Sequence, residues 1–184
     1  MKTKWITTMC LCVLVACNNT PSERPELVAE NKSYSITGAL EKVDSTYADG
    51  SHRVSTFIDT TSKQKVAYIK FYDDGQRYTD LRYEHNQLNG ECTSYYPNGT
   101  QWSMNSYRND TLHGPYKTWH ENGKPYYESH YINGEQHGEC FTYYPSGKLD
   151  TRGFYTHGAK SGVWTTYNME GKLMREIDYD KKSK

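Results

Sequence analysis

Glycine returns every 24 residues along this chain, at Gly75, Gly99, Gly123, Gly147 and Gly171. A tyrosine column, Tyr83, Tyr107, Tyr131, Tyr155 and Tyr179, keeps the same period, and a second glycine column, Gly90, Gly114, Gly138 and Gly162, is locked to both. A fixed period of this kind marks one supersecondary unit stacked on copies of itself. Helix is a poor candidate for the unit. A glycine in its middle and another at its end leave about a dozen residues between breakers, in stretches that favour β-branched and aromatic types. Repeats built from helix pairs also run longer, about 33 residues and upward.

Within each unit a run rich in Tyr, Trp, Thr and Phe leads to a turn: Asp74-Gly75, Asn98-Gly99, Asn122-Gly123, Ser146-Gly147 or Glu170-Gly171. Asn or Asp before Gly is the strongest local hairpin signal, because glycine takes a positive φ without a Cβ clash. A second run then ends near the tyrosine column, and a polar segment rich in Asn, His and Gly returns the chain. The spacing predicts one β-hairpin per unit and an all-β, elongated, open antiparallel meander. Five such repeats occupy residues 67–184. Twelve strands at about 4.8 Å spacing would extend on the order of 55 to 60 Å.

Two further columns carry aromatic rings: Phe71, Tyr95, Trp119, Tyr143 and Tyr167, and, more loosely, Tyr68, Cys92, Tyr116, Cys140 and Trp164. Positions three apart on a strand point to opposite faces, so the two ladders are expected on opposite sides of the sheet. Aliphatic residues are scarce, net charge is zero, and 18 tyrosines stand in for the missing aliphatics. A tyrosine buries a large ring and keeps its hydroxyl at the water, which suits a thin sheet. Cys92 and Cys140 lie two hairpins apart, about 19 Å, beyond the roughly 7 Å that a disulfide spans between Cα atoms. They read as small, half-buried members of an aromatic column.

The N-terminus carries an address. Lys2 and Lys4 precede an apolar stretch, Ile6 to Ala16, too short to span a bilayer. Residues 1–16 read as a signal peptide, and Leu14-Val15-Ala16-Cys17 resembles a bacterial lipobox, which makes Cys17 the expected lipidation site. Loss of Lys2 and Lys4 leaves a slightly anionic mature chain, with no polybasic attraction to nucleic acid or to an anionic membrane. The lipid is then the membrane anchor. Asn18 is not the aspartate that holds enteric lipoproteins at the inner membrane, so the resemblance points to the outer membrane. Residues 17–32 read as a lipidated flexible tether. Residues 33–66 read as a degenerate N-terminal repeat or cap, in which Tyr47-Ala-Asp-Gly50 echoes Tyr72-Asp-Asp-Gly75 and Phe57 stands where the tyrosine column would fall.

The aromatic pair, Asn-Gly turn, following lysine, tyrosine and closing His-Gly or Asn-Gly resemble the MORN-repeat variant. The clearest instances are Tyr95-Tyr96-Pro97-Asn98-Gly99, Tyr143-Tyr144-Pro145-Ser146-Gly147-Lys148, and Tyr131-Ile132-Asn133-Gly134 with His137-Gly138. The resemblance covers roughly residues 66–180 and implies an open hairpin array used for protein or lipid contacts. Proteins of this kind are often described as antitoxin components of toxin-antitoxin pairs, a role at odds with a lipoprotein signal if the toxin is cytoplasmic.

Chemistry is sparse in this sequence. His113 and His137 are column mates, but the column's other members are Asn89 and Ser161, which suits a polar turn before glycine better than a metal ladder. No nucleophile elbow, zinc-protease motif, phosphate loop or dinucleotide fingerprint occurs. Asp73, Asp74, Glu121 and Glu170 fall at hairpin turns, where solvated turn residues are expected. The reading is therefore a non-enzymatic, lipid-anchored envelope protein, without catalytic residues, metal or cofactor. Its repeat array mediates protein-protein binding or scaffolding with an unidentified partner. The alternatives are a glycan or peptidoglycan binder and an antitoxin-like inhibitor of a toxin or effector. Trp102, Trp119, Tyr126 and Tyr127 are the candidate binding residues.

Overall fold

The computed structural model describes residues 39–181. The signal peptide, Cys17, the tether and the start of the expected cap lie outside them. Among the described residues there is no helix, and all strands belong to one antiparallel sheet. In chain order they are β1 (Leu40–Thr46), β2 (His52–Asp59), β3 (Lys65–Phe71), β4 (Arg77–Glu84), β5 (Gln87–Leu88), β6 (Gly90–Tyr95), β7 (Gln101–Arg108), β8 (Thr111–Trp119), β9 (Pro125–Ile132), β10 (Glu135–Gln136), β11 (Gly138–Tyr143), β12 (Leu149–Thr156), β13 (Ala159–Tyr167) and β14 (Leu173–Asp178). Each long strand pairs with the next, while the short β5 and β10 pair only with β4 and β9. The first and last strands do not meet, so the meander is open, as the repeat predicts.

Two hairpin loops alternate. At the first glycine column, the Tyr96 N–H donates to the Thr100 carbonyl at 2.8 Å and the Gly99 N–H to the Tyr96 carbonyl at 2.9 Å. Gly99 has φ +82°. This is the three-residue loop in which a turn is closed by a left-handed glycine bulge. Tyr72, His120, Tyr144 and Asn168 close their loops in the same way, and so does Tyr47, where the sequence echo was found. The β2–β3 loop is longer, the Asp59 N–H donating to the Gln64 carbonyl with Lys63 at φ 57°. The remaining loops are two-residue turns with both central residues at positive φ: His85-Asn86, Asn109-Asp110, Asn133-Gly134 and His157-Gly158. Such primed turns match the twist of the strands they join.

The second glycine column lies beyond these turns, inside a β-bulge. Asn89 and His137 donate their backbone N–H groups back to the Arg82 and His130 carbonyls. The expectation that Asn89, His113, His137 and Ser161 mark the turn itself is corrected: the turn closes a few residues earlier, and the glycine absorbs the extra bulge residue.

Residues paired across strands share a face. One unbroken row therefore crosses all twelve long strands: Asp44, Ser55, Ile69, Asp80, Thr93, Met104, Lys117, Glu128, Phe141, Arg152, Thr165 and Glu176. By alternation Tyr95, Trp119, Tyr143 and Tyr167 share that face, whereas Cys92, Tyr116, Cys140, Trp164 and the tyrosine column take the other. The two aromatic ladders thus lie on opposite sides. Phe57 does not join the tyrosines. It pairs with Lys42 and Ala67 on the row's face, because it stands two residues beyond Ser55 of the row, whereas each column tyrosine stands three beyond its row residue.

The better covered side changes along the sheet. In β2 to β4 it is the row's face, where Ser55, Ala67, Ile69 and Asp80 are buried. From β6 onward it is the tyrosine face, where Cys92, Ser103, Thr118, Ser129 and Cys140 are buried. Both cysteines are free and only 3% exposed, deeper than the half-burial the sequence suggested. Small side chains at these points let neighbouring tyrosine rings close over them.

Candidate binding surface

Many of the aromatic residues hold one repeat to the next. Along the glycine-turn edge the Tyr72 hydroxyl donates to the Tyr95 carbonyl at 2.8 Å, Tyr96 to Trp119 at 2.9 Å, and Tyr144 to Tyr167 at 2.7 Å. His120 continues the series, its Nε2 meeting the Tyr143 carbonyl at 2.9 Å. The Asn98 and Asn122 amides donate to the Glu121 and Pro145 carbonyls of the following turn. At the opposite edge, the backbone N–H groups of Asp110, Gly134 and Gly158 donate to the carbonyls of Leu88, Leu112 and Gln136. The sequence shows the Tyr72, Tyr96, His120 and Tyr144 column only as the second half of an aromatic pair. Its riveting role depends on a three-dimensional offset that spacing does not reveal.

On the tyrosine face the rings touch from unit to unit. Tyr116 lies 5.5 Å from Tyr131 and 6.0 Å from Tyr127 between centroids, and Trp164 lies 5.2 Å from Tyr155 and 6.0 Å from Tyr179. Burial pushes the Tyr107, Tyr127, Tyr131 and Tyr155 phenols above their ordinary range. One predicted binding residue belongs to this structural set, and another lies on the opposite face. Tyr127 is half-buried and accepts a hydrogen bond from the Gln136 amide, and Trp119 is half-buried with its carbonyl taken by Tyr96.

The other two predicted residues stand free of that framework. Trp102 is 43% exposed and Tyr126 is 51% exposed. Each occupies the extra position of a bulge beside a glycine turn. Ser94 pairs with Ser103 and Tyr95 with Gln101, leaving Trp102 without a cross-strand mate. Thr118 pairs with Tyr127 and Trp119 with Pro125, leaving Tyr126. The same shift, Lys70 with Thr79 and Phe71 with Arg77, releases Tyr78. Tyr78 was missed by sequence reasoning, although it stands one period before Trp102. Tyr78 leans on Tyr72 at 5.1 Å and Tyr126 on His120 at 4.9 Å.

At the Tyr78 end the surface dips into a shallow groove walled by Tyr47, Lys70, Asp73, Asp74, Tyr78 and Pro97. The Lys70 ammonium sits 5.2 Å from the Tyr78 ring centre, and the Arg53 guanidinium 5.3 Å from that of Tyr47. In the two later repeats the bulge position holds Asp150, which accepts from Thr142, and Met174, which is exposed.

Two carboxylates, Asp59 and Asp80, are buried elsewhere among the described residues. Arg77 Nη1 donates to Asp80 Oδ2 at 2.8 Å, while Asp80 Oδ1 has no protein partner. Burial pushes the Asp80 carboxyl up, against the pull of Arg77 and Arg82. Burial likewise raises the Cys92 and Cys140 thiols, which disfavours the nucleophilic thiolate. Among the described residues no cluster of three or more His, Cys, Asp or Glu side chains is placed to hold a metal ion. His113 accepts from the Asn133 N–H at 3.4 Å, whereas His137 faces Phe154 and His157.

The profile of the MORN repeat variant matches residues 88–109, 112–133 and 136–157, three tandem units in the phase of the hairpins. These hairpins are MORN repeats. Each matched unit begins on the strand residues just before a second-column glycine bulge and ends in or at the next primed turn, so the MORN period and the structural period coincide. No curated protein matches the chain. Among solved structures, TarM aligns at 14% identity over 76% of this chain and 21% of its own, with a TM-score of 0.23. A mutant TarM from S. aureus, in complex with Fondaparinux, alpha-GlcNAc-glycerol and UDP, aligns at 16% identity over 59% and 21%, with a TM-score of 0.21. A protein of unknown function from Bacteroides fragilis aligns at 11% identity over 76% and 91%, with a TM-score of 0.18. The chain spans about a fifth of the TarM chains, and likenesses of this size carry no weight for the MORN array's function.

Proposed function

We propose that this chain is a non-enzymatic protein of the bacterial cell envelope, anchored through lipid on Cys17, whose MORN repeats bind and organise a partner protein. One observation carries the reading: the tyrosine column and the turn column of Tyr72, Tyr96, His120 and Tyr144 are occupied in strand-to-strand and turn-to-turn contacts, while large side chains such as Trp102, Tyr126, Phe154, Val163 and Met174 stay exposed. A sheet that spends two of its columns on its own cohesion has its remaining surface free for recognition, and aromatic rings are favoured where partners dock. Crosslinking followed by capture from detergent-solubilised envelope is expected to enrich a specific partner. Recovery of none counts against the reading. Incorporation of labelled fatty acid, lost in Cys17→Ala, tests the anchor.

A second reading is favoured by the Tyr78, Trp102 and Tyr126 column: the array binds a glycan of the cell wall. Co-sedimentation with purified wall material, weakened by Trp102→Ala, is its test. Inhibition of a toxin or effector is a special case of the first reading and would appear as that protein in the captured fraction.

A further inference from the structure

We infer that Tyr78, Trp102 and Tyr126 form a stepped platform for an extended β-1,4-linked polysaccharide. This rests on the glycan reading above and specifies its ligand. The three rings occupy one repeat position, each released from cross-strand pairing by the same register shift. Tyr78 is on β4, Trp102 on β7 and Tyr126 on β9, and along the sheet order each ring is two strands from the next. Two strand spacings amount to about 9.5 Å. In an extended β-1,4-linked chain successive sugars are turned over, so the same face recurs at every second sugar, and the disaccharide advances by nearly this distance. An antiparallel sheet has the same property, since equivalent side chains recur on every second strand. Sugar rings that stack on Tyr78 and Trp102 therefore bring the next equivalent sugar to Tyr126.

The surroundings fit a sugar. The platform starts in the groove, where Lys70 and Asp73 stand beside Tyr78 and offer a donor and an acceptor for hydroxyl groups. The Tyr72 and His120 rings back Tyr78 and Tyr126 and are themselves pinned to the next turn, which limits the conformational entropy lost on binding. The platform ends where Asp150 replaces an aromatic residue. Three rings along one chain make binding depend on ligand length, because each further ring engages a sugar already held nearby.

The test is calorimetric titration of the full chain in detergent with the dimer, tetramer and hexamer of β-1,4-linked N-acetylglucosamine, and with an α-1,4-linked glucose hexamer. Affinity is expected to rise at least about tenfold from dimer to hexamer. Trp102→Ala should remove most of that rise, Tyr126→Ala part of it, and Tyr127→Phe none. Urea midpoints close to that of the parent chain confirm that the variants fold, and Trp102→Phe should keep most of the binding. The platform is overturned if the hexamer binds no tighter than the dimer, if the α-linked chain binds equally well, or if Trp102→Ala has no effect. Saccharide binding without length dependence overturns the platform and leaves the glycan reading standing. No binding to any of these sugars overturns both.

Discussion

The first four strands and the later repeats solve the same problem with opposite faces. In β2 to β4 the covered side holds Ala67 and Ile69 together with Ser55 and a buried carboxylate, Asp80. From β6 onward the covered side holds Cys92, Ser103, Thr118, Ser129 and Cys140, roofed by tyrosines. The difference follows the tyrosine column. In the later repeats the column's rings meet other rings of the same face, Tyr131 on Tyr116 and both Tyr155 and Tyr179 on Trp164, and the small residues beneath are shielded. On the early strands Phe57 falls on the other side, and although Tyr83 on β4 keeps the period, shielding there rests on an aliphatic pair and on ion pairs such as Arg77 with Asp80. A single-layer repeat can thus be covered by its own period, and its atypical end needs a different device.

The largest effect is expected in the N-terminal strands. Ile69→Ala removes a side chain 3% exposed and should cost about 3 kcal/mol. Hydrogen exchange should show the loss concentrated in β1 to β4, with the later repeats retaining protection. Uniform loss across the sheet would mean that the two regions are one cooperative unit.

Gly153→Ala probes the other region. A Cβ there would lie 2.2 Å from the Trp164 ring, and glycine at this position lets the indole lie flat over β12. Displacing the ring should cost about 2 kcal/mol in a urea titration and should disturb its contacts with Tyr155 and Tyr179. An unchanged midpoint would show that the tyrosine face is looser than its contacts indicate.

Tyr96→Phe removes one rivet from the glycine-turn edge. Loss of the hydroxyl should cost about 1 kcal/mol, since the Trp119 carbonyl loses a donor on a partly covered edge. The His120 position sharpens this test. If riveting is the column's purpose, His120→Tyr should restore the common pattern without loss, whereas His120→Phe should cost about as much as Tyr96→Phe.

The hairpin period, the open meander and the opposition of the two ladders were legible because each depends on spacing and on two-residue alternation. Trp102 and Tyr126 were legible as odd aromatics outside the main columns. What stayed hidden depends on shifts of one residue: the bulge that frees Tyr78, the displacement of Phe57, and the change of covered face. A bulge moves pairing without changing the period, so a column in the sequence keeps its spacing while its surroundings differ. The hydroxyl ladder was hidden for another reason. Its acceptors are backbone carbonyls, which every residue carries.

The smallest expected effect is a slope against pH, and it separates the two regions by charge. The folded chain holds the Asp80 carboxyl above its ordinary value, chiefly because of burial, so the native state binds this proton more tightly than the unfolded chain does. Stability then falls as pH rises from about the unfolded value through the raised one, and the cost is complete above it. Asp80→Asn should abolish that component, so the gap between the variant and the parent changes between pH 4 and pH 7. Asp44 acts in the opposite sense: despite the opposing effect of burial, hydrogen bonds from Ser55, Lys42 and His52 hold it at about 2. Its stabilising contribution is lost only as pH falls from about 4 toward that value, which keeps the two carboxylates apart. Urea midpoints taken across pH 4 to 7 should therefore converge or diverge with Asp80 alone, and parallel profiles for parent and Asp80→Asn would show that the carboxylate is solvated and that the early strands are covered no more deeply than the rest.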